Sequence, residues 1–107
     1  MMLVNSPVIK KGIDFSISDL KNGPINADFS SSKFNGSNIG QIDFTGSKFI
    51  NCNLIGCQID FSFFLNCDFT GCIMDESYDT KEKFKLVVGE GHYNETTIWI
   101  DGTPITE

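Results

Sequence analysis

The chain has 107 residues, a formal net charge of −6 and a pI of about 4.5, with 40% hydrophobic residues. That length suits one domain with a modest core. The acidic balance argues against binding nucleic acid by neutralising phosphates.

The start, "MMLVNSPVIKKG", has no apolar stretch long enough for a signal peptide or a membrane span, so residues 1–12 are expected to form an N-terminal arm or cap of a cytoplasmic protein. The four cysteines are then expected to be thiols. Asn35 in "NGS" and Asn94 in "NET" match the glycosylation pattern by letters only.

From residue 27 the chain divides into fives: "ADFSS SKFNG SNIGQ IDFTG SKFIN CNLIG CQIDF SFFLN CDFTG CIMDE". The third positions are Phe29, Phe34, Ile39, Phe44, Phe49, Leu54, Ile59, Phe64, Phe69 and Met74, all apolar. At 40% hydrophobic residues this has a chance probability of roughly one in ten thousand in a given frame. The first position is small in nine of ten blocks, from Ala27 and Ser32 to Cys67 and Cys72, with Ile42 the exception. A period of five fits neither the helix repeat nor the flat strand repeat, so each block must contain its own bend.

The "ADFSS" and "CDFTG" blocks resemble those of pentapeptide repeat proteins over residues 27–76. Weaker blocks centred on Phe15, Leu20 and Ile25 extend the region back to residue 13, with a slip of register at Pro24. The resemblance implies a right-handed quadrilateral β-helix of about three coils, with four blocks per coil and residues twenty apart lying above one another. Phe29, Phe49 and Phe69 then form one inner ladder, Phe34, Leu54 and Met74 a second, Ile39 and Ile59 a third, Phe44 and Phe64 a fourth. Phe61, Phe63 and Leu65 face outward, as do Ile50, Ile55 and Ile73. Either the C-terminal segment folds back over these apolar groups, or some of them form a homodimer or partner interface.

In residues 77–107 the five-residue pattern stops. Two strand-like runs, Phe84–Val88 and Thr96–Asp101, flank a glycine-rich turn, and a second turn falls at "DGTP". The expected fold is therefore all-β, a β-helix closed by a C-terminal β-hairpin cap that protects an open edge. Only residues 75–84 carry any signal for a turn of helix.

Chemistry finds little support. Cys52, Cys57, Cys67 and Cys72 occupy the small inward slot at spacings unlike CxxC, which suits core thiols better than a metal or redox site. His92 sits in the "GEGHYN" turn with no nucleophile placed to use it. No catalytic, metal or cofactor site is expected. Asp28, Asp43, Asp60, Asp68, Asp75 and Glu76 are read as outward carboxylates. Pentapeptide repeat proteins include acidic, rod-like dimers that imitate duplex DNA and occupy the DNA site of type II topoisomerases. The resemblance therefore implies a non-catalytic protein-binding module, an acidic inhibitor of a topoisomerase, nuclease or host-defence complex, with those six residues as its acidic face. Lys48, between Asp28 and Asp68, interrupts a negative ladder. The alternative is a structural or assembly protein, phage-derived, associating through Phe61, Phe63, Leu65 and the hairpin. Tyr93 and Trp99 serve either that contact or the packing of the cap.

Overall fold

A computed structural model describes residues 26–107. The expected N-terminal arm, the blocks centred on Phe15, Leu20 and Ile25, and the slip at Pro24 lie outside the described residues.

The blocks turn at their ends. In eight of the ten the N–H of the successor's first residue donates to the block's central carbonyl, as Ser32 to Phe29, Cys52 to Phe49 and Cys72 to Phe69, whereas the Ile42 N–H donates to the Ser62 hydroxyl and the Ser77 N–H to the Asp75 carboxylate. The fifth residue has positive φ in every block from Ser31 (65°) to Gly71 (76°). That is the type II pattern, in which the third turn position must be left-handed, and Gly36, Gly46, Asn51, Gly56 and Asn66 meet it at little cost.

The turns bring successive coils into register. Parallel bridges join Asp28 to Lys48, Lys48 to Asp68, Lys33 to Asn53, Asn53 to Ile73, Asn38 to Gln58 and Asp43 to Phe63. Every pair is twenty residues apart, so the coil has four flanks. Each bridge is isolated, and among the described residues none extends into a strand.

Packing follows from this register. All ten central residues from Phe29 to Met74 are buried. Phe49 stacks between Phe29 and Phe69 at ring separations of 5.3 and 5.1 Å, and Phe44 lies parallel to Phe64 at 5.6 Å. The small first positions complete the interior. Cys52, Ser62, Cys67 and Cys72 each point a thiol or hydroxyl at a carbonyl oxygen of the coil before, those of Phe29, Ile39, Phe44 and Phe49. These four buried polar groups are thereby satisfied without opening the apolar core, whereas the buried Ser32 hydroxyl has no partner among the described residues.

The C-terminal region departs from expectation. Phe84–Val88 is not a strand: it lies in an α-helix, α1, Lys81–Val88. The chain is accordingly not all-β, and no hairpin pairs Phe84–Val88 with Thr96–Asp101. Local capping decides the matter. The Thr80 side chain accepts from the Lys83 N–H, Glu82 stands in the first turn, and Gly89, at φ 99°, ends the helix with its N–H on the Lys85 carbonyl. Phe84 and Val88, four apart on one face, are both buried. A 3-10 turn, Glu76–Tyr78, leads into α1, and the Tyr78 hydroxyl is shared between the carbonyls of Leu54 and Cys57.

The Phe84 ring closes the end of the coil, 5.6 Å from Phe64 and 5.3 Å from both Phe69 and Trp99. Beyond α1 the repeat pattern returns once. Ile98 bridges Asp68 in parallel, Trp99 is buried, and the Thr97 hydroxyl donates to the Phe64 carbonyl as the Cys67 thiol does to the Phe44 carbonyl one coil earlier. Thr97-Ile98-Trp99 is thus a further block carried ten residues out of step by the 3-10 turn and α1. The chain then reverses, and Ile98 pairs antiparallel with Pro104 through a turn at the expected "DGTP". Among the described residues no helix is long and apolar enough to cross a membrane.

Candidate functional site

Outward side chains at the second position of each block form columns down the flanks. One reads Asp28, Lys48, Asp68, Ile98; the next Lys33, Asn53, Ile73; the third Asn38, Gln58; the fourth Asp43, Phe63. His92 prolongs the fourth: the Phe64 N–H donates to the His92 carbonyl, as the Phe44 N–H does to the Phe63 carbonyl one coil earlier.

The six carboxylates singled out in the sequence do not gather on one flank. Asp28 and Asp68 share a column with Lys48 between them, Asp43 is on another, Asp60 is exposed beside a corner, and Asp75 and Glu76 stand where the coil breaks. Most have a structural task. Asp28, Asp43 and Asp68 each accept from the backbone N–H and the hydroxyl of the residue two ahead, Ser30, Thr45 and Thr70. Asp75 with Ser77 and Asp101 with Thr103 do the same. Asp75 also accepts from the Gly56 N–H at 2.8 Å, filling the place of a further coil. These outward aspartates thus also hold the turns that follow them. The spacing Asp-x-Ser/Thr was the signal, since an Asp side chain so placed mimics a turn. The Ser30 hydroxyl, with a further pull from Lys48, holds the Asp28 carboxyl below its usual range, and Ser77 and Thr103 do the same for Asp75 and Asp101.

The cysteines are free and buried. Burial pushes the Cys57 and Cys67 thiols up to about 12. The Cys72 thiol is raised by its hydrogen bond to Cys52 and then by burial. Thiols so disfavoured from ionising are poor nucleophiles. Among the described residues no group of three or more His, Cys, Asp or Glu could hold a metal ion.

Apolar groups give the other candidate surface. Phe61 is 56% exposed and Phe63 39%, and Leu65 is half-buried beside them. The segment after α1 touches this flank without covering it. The His92 ring stacks on Phe63 at 3.9 Å and 17°, held by its Nδ1–H to the Ser62 carbonyl at 3.2 Å. His92 is thus half-buried, no free turn residue. The Phe61 N–H donates to the Val87 carbonyl, and its ring lies over Gly89. Phe61 occupies the left-handed fifth position at φ 60°, where the blocks on either side have Gly56 and Asn66 and the coil before has Gln41. A bulky ring is disfavoured there by about 1 to 2 kcal/mol. Trp99 is buried against Phe84, and half-buried Tyr93 packs on the core, so both serve the closing of the coil. Ile55, Ile73 and Leu86 are exposed elsewhere, Leu86 on α1.

Residues 25–58 and 41–75 match the family of pentapeptide repeats, with eight copies of the repeat. Such repeats generally form a right-handed β-helix and generally act as non-catalytic interaction modules. No curated protein and no solved structure matches the chain.

Proposed function

Because the chain belongs to the pentapeptide repeat family, we propose that it is a non-catalytic protein-binding module, a right-handed quadrilateral β-helix that docks on its partner through the flank of Phe61, Phe63 and Leu65. The observation that carries this reading is the exposure of Phe61 and Phe63 on a flank that the C-terminal segment reaches and leaves open. Burying such rings against a partner would yield about 25 cal/mol per Å² of apolar surface, and flat aromatic groups are favoured anchors.

A second reading, the acidic DNA mimic directed at a topoisomerase, nuclease or host-defence complex, draws on the net charge of −6 and on Asp28 and Asp68 in one column. Lys48 between them weakens it. The two readings separate in a pull-down from bacterial lysate, with elution by short duplex DNA. A partner that DNA does not displace supports docking through the apolar flank. Release of a DNA-handling enzyme by DNA supports mimicry through the aspartates.

A further inference from the structure

We propose that the partner meets the Phe61–Phe63 flank with a cationic segment in which arginine side chains alternate with apolar ones. This deepens the docking reading above and rests on it.

The charges around the rings point one way. Asp43 is the bridge partner of Phe63, so carboxylate, phenyl ring and the His92 imidazole follow one another down a single column. Asp60 immediately precedes Phe61 and is exposed, and Glu90 and Glu95 are exposed in the segment that lays His92 on Phe63. Among the described residues most lysines are on other flanks or engaged. Lys33 and Lys48 lie on other flanks. On α1, Lys81 is engaged by Thr103 and Glu107, and Lys83 by Asp79 and the Glu76 carbonyl. Lys85 is the remaining cation on that helix, whose C-terminal end touches Phe61.

An exposed aromatic face rimmed by carboxylates suits a cation that can lie flat on a ring and still meet oxygen at its edge. A guanidinium does both and is weakly hydrated, whereas an ammonium holds its water more tightly. Leu65 beside the rings offers contact to the apolar residues between the arginines. A second copy of this chain fits poorly. All eight of its basic residues are lysines, and it would present the same carboxylates to each other's rim. Duplex DNA is repelled by the same field.

The test uses the full chain, isotope-labelled, titrated with a short synthetic peptide alternating arginine and leucine, and in parallel with its glutamine-for-arginine counterpart. The arginine peptide is expected to shift the amide signals of Phe61, Phe63, Leu65 and His92 and to bind more weakly as salt is raised. Phe63→Ala is expected to weaken it about tenfold. Asp43→Asn should weaken it severalfold while keeping the corner's backbone contact, because Asn38 and Asn53 accept the corresponding backbone N–H in this fold. Equal binding of the glutamine peptide at the flank overturns the cationic partner but leaves the docking surface standing. Shifts confined to other flanks, or no binding of either peptide, overturn the inference, as does self-association through Phe63 in the absence of peptide.

Discussion

Phe49 shows what single residues contribute. Its ring is stacked on both sides by Phe29 and Phe69 and is fully buried, so Phe49→Ala leaves a cavity between coils and should cost about 3 to 5 kcal/mol in urea denaturation. Phe61 is its opposite, an exposed ring at positive φ in a place where Asn51 and Asn66 sit comfortably. Phe61→Asn is expected to keep or raise the melting temperature while removing half of the aromatic surface. A drop of many degrees would mean that the ring's contact over Gly89 matters more than the backbone strain. The raised Cys57 and Cys67 thiols set a pH limit. Their folded pKa of about 12 exceeds the usual value of 9.0, so stability is fully present below pH 9 and declines as pH rises from there towards 12. Denaturation midpoints across that range check this, and Cys67→Ser should flatten the decline. The inward residues were legible because burial imposes large and small side chains at fixed spacing. The backbone of Phe61 and the turn-capping aspartates were not, since hydrophobic patterning carries no information about φ or about local side-chain bonds.

At the scale of elements, α1 is where the sequence pattern misled. Phe84, Leu86, Val87 and Val88 crowd together as a strand would, and only the Thr80 cap, Glu82 and the terminating Gly89 mark a helix. Thr80→Ala should cost about 1 kcal/mol by removing the acceptor for the Lys83 N–H, measured as a lower unfolding midpoint. The expectation of a cap was sound in one respect, because an open end needs covering. A helix covers it here, with one large side chain, Phe84, reaching Phe64, Phe69 and Trp99 together. The return of the pattern at Thr97-Ile98-Trp99 was hidden by its displacement of ten residues, although its small-x-apolar spacing was in plain letters.

For the molecule as a whole, the twenty-residue register ties folding to function. The same five-residue repeat that sends Ile59 and Phe64 inward leaves Phe61, Phe63 and Leu65 outside, so a dense apolar stretch serves core and surface at once. Charge is distributed around the coil, with Lys48 between Asp28 and Asp68, and the aspartates largely maintain corners. The proposed docking role therefore rests on the aromatic flank, and the proposed choice of partner on the carboxylates around it. The measurement that tests this most directly compares wild-type and Phe63→Glu baits in the same quantitative pull-down, after melting curves have shown both to be folded. The account expects equal melting temperatures and loss of the captured partner from the Phe63→Glu bait. Undiminished capture by a folded Phe63→Glu protein would contradict it and return the binding role to the aspartates.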